Sequence, residues 1–150
     1  MKLKTIFFLA GVLLSSHAMA LEGMSLGVGS HHFGDETPCD GKPEYNESNP
    51  GLGFRIRRQP EVEYEIGVYK NSLSDRSYYG SAIWLPLQYK YLELGVMGGV
   101  ANGYCKKVTP IGGLVMNLWL VKGVGVQVIG VPPIKDRITG IAALRVLINF

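Results

Sequence analysis

The chain has 150 residues and a formal net charge of +3, with 47% hydrophobic and 18% charged residues. That balance excludes an intrinsically disordered chain, which is rich in charge and poor in apolar side chains. It also excludes a nucleic-acid binder, which needs a basic stripe: the charge falls to +1 once the first 20 residues, with Lys2 and Lys4, are set aside.

Those first residues, Met1–Ala20, read as a secretory signal peptide. Lys2 and Lys4 form a positive start, Ile6–Leu14 a short apolar core, and Ala18-Met19-Ala20 a small-x-small cleavage site. Export argues against a pocketed cytosolic enzyme. It also places Cys39 and Cys105, the two cysteines, in an oxidising compartment where a disulfide between them is expected. No Cys-x-x-Cys is present, so neither thioredoxin chemistry nor a cysteine-rich zinc site has support.

The remaining 130 residues hold no apolar run of the roughly 20 residues that a spanning helix needs; the best, Ile111–Val121, is too short. Apolar residues instead recur every second position, the period of a strand. Eight segments follow in chain order: Gly23–Phe33, Gly51–Arg58, Glu61–Asn71, Tyr78–Leu87, Tyr89–Ala101, Thr109–Leu120, Gly123–Val131 and Arg137–Phe150. Turn residues separate them at Gln59-Pro60, Asn102-Gly103, Lys122-Gly123 and Pro132-Pro133.

In the third segment Val62, Tyr64, Ile66 and Val68 oppose Glu61, Glu63, Glu65 and Tyr69. In the fifth, Leu92, Leu94, Val96 and Val100 oppose Tyr91, Glu93 and Met97. In the last, Leu144, Val146, Ile148 and Phe150 oppose Arg145 and Asn149. Apolar-out, polar-in alternation over strands of about ten residues is the pattern of a transmembrane β-barrel. Eight such strands fit the chain and sixteen do not. The expected fold is therefore all-β: an eight-stranded antiparallel barrel of the outer membrane over residues 21–150, ending on an aromatic residue and monomeric. Its interior is expected to be filled by side chains, with Arg55 and Arg57 paired to Glu63 and Glu65 across the second turn.

With short turns facing the periplasm, the longer loops face outside. The disulfide candidates Cys39 and Cys105 then share the outer face, as do His31 and His32 at the end of the first strand and Asn71-Ser72 at the end of the third. Strict alternation points His31 inward and His32 outward. Pro110, Pro132 and Pro133 sit near the outer ends of strands six and seven. Proline donates no ladder hydrogen bond, so a gap there would admit a lipid chain sideways. Asp35, Glu36 and Cys39 are metal-binding types, but polar loops assemble such residues freely, and no metal or other cofactor is expected.

These motifs resemble the outer-membrane lipid A palmitoyltransferase family, the PagP type, over about Ser30–Phe150. Tyr45-Asn46-Glu47 followed by Pro50-Gly51-Leu52-Gly53-Phe54 is similar to its Tyr-Asn-Glu segment entering a Gly-rich strand. Tyr69-Lys70-Asn71-Ser72 is similar to its Lys-Asp-Ser stretch, and Leu94-Gly95-Val96-Met97-Gly98-Gly99-Val100 to its fifth strand. The resemblance implies an acyltransferase that moves a fatty acyl chain from phospholipid to lipid A, the lipid of lipopolysaccharide, at an exterior-facing rim. It implies His32 (with His31 as the alternative), Asn71 and Ser72 as catalytic residues, and an acyl pocket near Ile83, Gly95 and Met97. Gly99 and Gly113 are further candidates to give the chain room.

The chain departs from that family at three points. Asn71 replaces a catalytic Asp, an exchange worth about 10⁴ in rate in Ser-His-Asp triads. The N-terminal amphipathic helix is missing, and Ile83 stands where a glycine floors the family's pocket. Two alternatives therefore stay open: a non-enzymatic surface or adhesion barrel, and a lipid A deacylase.

Overall fold

The computed structural model describes residues 21–33, 41, 44–104, 107–133 and 140–150. They form eight strands: β1 (Leu21–Phe33), β2 (Ser48–Gln59), β3 (Val62–Lys70), β4 (Arg76–Tyr89), β5 (Leu92–Ala101), β6 (Thr109–Val121), β7 (Val124–Val131) and β8 (Gly140–Asn149). Each pairs antiparallel with its chain neighbours, and β1 pairs with β8, so the sheet closes into a barrel. The expected all-β, eight-stranded fold is observed. The leader, Asp35, Glu36 and both cysteines lie outside the described residues, and so does the proposed Cys39–Cys105 pairing.

Connections at one end, between β2 and β3, β4 and β5, and β6 and β7, are two residues long. The last, Lys122-Gly123, turns because Gly123 takes φ 80°, a left-handed conformation with no Cβ to clash. Longer loops gather at the opposite end, which carries the ends of β1 and β3.

Alternation sets the two surfaces. Ile66, Leu87 and Leu114 are more than 60% exposed on the outside, in an apolar belt. Trp84, Tyr89, Tyr91 and Phe150 stand towards the short-turn end, and Phe33 and Tyr78 towards the loop end. Tyr91 departs from expectation: it sits in the β4–β5 turn and is exposed, because β5 begins only at Leu92.

The inner half, towards the short turns, is solid. Arg55 and Glu63 are fully buried and share a two-pronged ion pair, with Arg55 Nη2 donating to Glu63 Oε1 at 2.8 Å and Nε to Oε2 at 3.1 Å. Arg57 also meets Glu63, and its Nη1 donates to Glu93 Oε1 at 3.1 Å. Asn117 donates to Glu93 at 2.9 Å, and Gln127 donates to Asn117 at 2.9 Å. Buried charges persist only when satisfied in this way, and removing one partner costs about 3–5 kcal/mol.

Glu65 departs from its expected partnership. It lies opposite Arg55 in the β2–β3 register, yet it accepts from Arg145 on β8, at 3.0 Å, and from Ser25 and Tyr79. Arg55 reaches diagonally to Glu63 instead. Beside the polar lattice, Ile83, Leu85, Met97, Val115 and Ile129 form an apolar cluster.

Candidate functional site: a hollow outer half

The expectation of a filled interior holds only for the inner half. Towards the loops the barrel encloses a cavity of about 860 Å³. Its walls explain it. Gly27, Gly29, Ser30, Gly51, Gly53 and Gly112 line it, and side chains this short do not reach the barrel axis. Along β1 the lining runs from His32 to Ser25, roughly 20 Å of strand.

The chain aims His32, not His31, into this wall. Gly27 pairs with Arg145 and Gly29 with Leu144, so Val28 is an extra residue in β1 relative to β8. This β-bulge reverses the alternation beyond it, because a slip of one residue exchanges the two faces of a strand. Below the bulge Ser25 and Gly27 line the cavity; above it Ser30 and His32 do. His31 points out and meets Glu47 at 2.7 Å on the surface.

The His32 ring stacks on Tyr45 with centroids 4.3 Å apart, 11° from parallel. Both ring nitrogens, Nδ1 and Nε2, are buried and make no hydrogen bond among the described residues. The segment that supplies Tyr45 also joins the two candidate catalytic residues. Asn46 N donates to the Ser72 carbonyl at 2.7 Å, and Asn46 Nδ2 to the Asn71 carbonyl at 3.1 Å. Ser30 N donates to the Glu47 carbonyl at 2.9 Å. Tyr45-Asn46-Glu47 is thus a strap between the end of β1 and the β3–β4 turn.

Ser72 lines the cavity, but Asn71 does not. The Asn71 side chain is fully buried and committed on both sides. Its Nδ2 donates to Ser77 Oγ at 2.9 Å and to the Gly103 carbonyl at 2.7 Å; its Oδ1 accepts from the Leu73 and Asp75 amides, each at 2.9 Å. This amide shapes the β3–β4 turn and ties it to the β5–β6 loop, a role a carboxylate, with no N–H, does not fill. Asn71 therefore sets the position of Ser72 and is not itself turned to the cavity.

Four tyrosines complete the wall and were not singled out in the sequence for this role: Tyr45, Tyr69, Tyr79 and Tyr104. The Tyr69 and Tyr104 hydroxyls share a hydrogen bond of 2.7 Å, and Ser72 lines the cavity with them. Burial pushes the Tyr104 phenol well above its ordinary value, so it stays a neutral hydroxyl.

The acyl-pocket residues expected from sequence divide. Met97 lines the cavity. Ile83 does not: it is fully buried in the apolar cluster, in contact with the Met97 and Ile129 group that borders the space. Gly95 does not line it either, and a Cβ there would strike the Trp84 carbonyl oxygen of β4. Gly99 and Gly113 do not line it, whereas Gly112 does.

The prolines mark an interruption in the wall. Backbone pairing between β6 and β7 runs from Val121↔Val124 to Leu114↔Gly130 and stops there. Thr109–Gly113 of β6 pair with β5 alone, while β7 ends at Val131 before Pro132 and Pro133. Thr109, Pro110, Ile111, Gly112 and Val131, which border this unpaired stretch, also line the cavity.

No protein-family model matches the chain, and no curated protein matches it.

Proposed function

We propose that this protein is an outer-membrane acyltransferase of the lipid A palmitoyltransferase type. It would move a fatty acyl chain from a phospholipid to lipid A or a related outer-leaflet acceptor. The observation that carries this proposal is the His32 imidazole, stacked on Tyr45 in the wall of a hollow barrel half, with neither nitrogen hydrogen-bonded among the described residues. A neutral imidazole has one acceptor nitrogen and one donor, as a general base requires. The apolar belt and its two aromatic zones favour a lipid-embedded barrel. The interruption between β6 and β7 gives a chain a route from bilayer to cavity.

In this mechanism the donor's acyl chain lies in the cavity with its ester at the rim. His32 removes the proton from an acceptor hydroxyl as that oxygen bonds to the ester carbonyl carbon. The Ser72 and Tyr104 hydroxyls donate to the oxyanion that develops. The carbon–oxygen bond to the lysophospholipid then breaks, and His32 returns the proton to the departing oxygen.

One observation favours a non-enzymatic surface barrel instead. Among the described residues no carboxylate hydrogen-bonds to the His32 ring: Glu47 accepts from the His32 backbone amide, at 3.3 Å, not from the imidazole. Mass spectrometry of lipid A and phospholipids from cells making the protein or its His32→Ala variant separates the readings. An added acyl mass is expected only with the unaltered protein, and the variant should lose about 10²–10⁴ in rate while keeping its heat-modifiable gel migration. A lost acyl mass would indicate a deacylase. No change with a folded barrel would favour the non-enzymatic role.

A further inference from the structure

Arg145 is the only Lys, Arg, Asp or Glu side chain lining the cavity among the described residues. It stands on β8 beyond Ala143, at the inner end of the space, and takes no part in the mechanism above. Its Nη1 donates to Glu65 Oε1 at 3.0 Å, and its guanidinium lies 5.3 Å from the centre of the Tyr79 ring. A guanidinium has five N–H donors, and Glu65 takes one of them. Ser25 and Tyr79, which also line the cavity, each give their single hydroxyl proton to Glu65. Their oxygens keep acceptor lone pairs. One inner corner of the cavity therefore offers both donors and acceptors, while Met97 and Ile129 present hydrocarbon from other strands.

A plain alkyl chain filling this space would displace water from Arg145, Ser25 and Tyr79 and offer nothing in return, which is unfavourable for buried polar groups. An extra carboxylate is equally poorly served. Glu65 already lies there, and the barrel interior carries no excess of positive charge: Arg55, Arg57 and Arg145 face Glu22, Glu63, Glu65 and Glu93. A hydroxyl suits the corner. It accepts from Arg145 and donates to the Ser25 or Tyr79 oxygen.

Resting on the acyl-transfer proposal, we infer that the chain taken into the cavity is a hydroxylated acyl chain whose neutral hydroxyl lodges against Arg145, Ser25 and Tyr79. The test is equilibrium binding to the folded full barrel in detergent. The probes are a saturated fatty acid methyl ester and its hydroxylated counterparts, with the hydroxyl moved along the chain.

At least one hydroxylated ester should bind about tenfold or more tightly than the plain one, as a hydrogen bond to a charged donor provides. Arg145→Met should erase that preference. Because this variant leaves Glu65 buried without its cation, the Glu65→Gln/Arg145→Met double variant is measured beside it. The double variant should still bind the plain ester, no less tightly than the unaltered barrel does, and show no preference for a hydroxylated one.

Equal binding of plain and all hydroxylated esters would overturn the inference and leave an acyl-binding barrel. A preference that survives in the double variant would overturn it too. Binding of no ester to a folded barrel would bring down the acyl-transfer proposal along with it.

Discussion

The two halves of the barrel share strands, alternation and closure, yet one is solid and the other hollow. The difference lies in the reach of the inward side chains. In the inner half Arg55, Arg57, Glu63, Glu93, Asn117 and Gln127 extend to the axis and satisfy one another. In the outer half the same strands place Gly27, Gly51, Gly53 and Ser30 inward, and the space stays open. A small barrel thus becomes a vessel by shortening its inward residues over half its height, and the charged half serves as the base. The arginines of that base are paired with carboxylates, whereas the His32 imidazole above it has no hydrogen-bond partner among the described residues.

The largest test of this division acts on the base. Glu63→Ala leaves Arg55 buried without its carboxylate and Arg57 with Glu93 and Glu22 alone, and should cost about 3–5 kcal/mol, read as a shift in the urea midpoint of refolding into detergent. Full stability would show that the lattice does not hold the inner half. A smaller effect is expected at the junction of turn and cavity. Asn71→Ala removes four hydrogen bonds around the β3–β4 turn, leaves Ser77, the Gly103 carbonyl and two amides short of a partner, and should cost about 1–3 kcal/mol. The more telling result is its partner substitution, Asn71→Asp. If Asn71 positions Ser72, the carboxylate, which has no N–H for Ser77 and Gly103, should lower lipid modification. A gain in activity would show that position 71 acts as an acid–base partner instead.

The smallest effect belongs outside the cavity. His31→Ala removes an exposed pair with Glu47 and should change stability by less than about 1 kcal/mol, with lipid modification unaltered. Loss of modification in His31→Ala, with His32→Ala active, would reverse the assignment that the bulge makes.

Much of the fold was legible because strand alternation is a local property. Glu63 and Glu65 against Tyr64 and Ile66 already tell which face is which, and turn residues such as Lys122-Gly123 divide the segments. The hollow half was partly legible too, in the short inward residues of β1 and β2, although the glycines first chosen, Gly95, Gly99 and Gly113, do not line it.

The sequence by itself determined the strand count, the apolar-out sense of the barrel and the presence of charges that must pair inside, since each follows from period two and composition. Tertiary structure alone decided the rest. Which histidine faces in depends on a bulge at Val28, visible only when β1 is set against β8. Which carboxylate meets which guanidinium depends on diagonal reach across the closed interior, so Glu65 meets Arg145 from the far end of the chain. Whether Asn71 faces substrate or holds a turn depends on Ser77 and Gly103 lying beside it. Alternation is written in neighbouring residues, but orientation beyond a bulge and partnership across a barrel are set by contacts between distant ones.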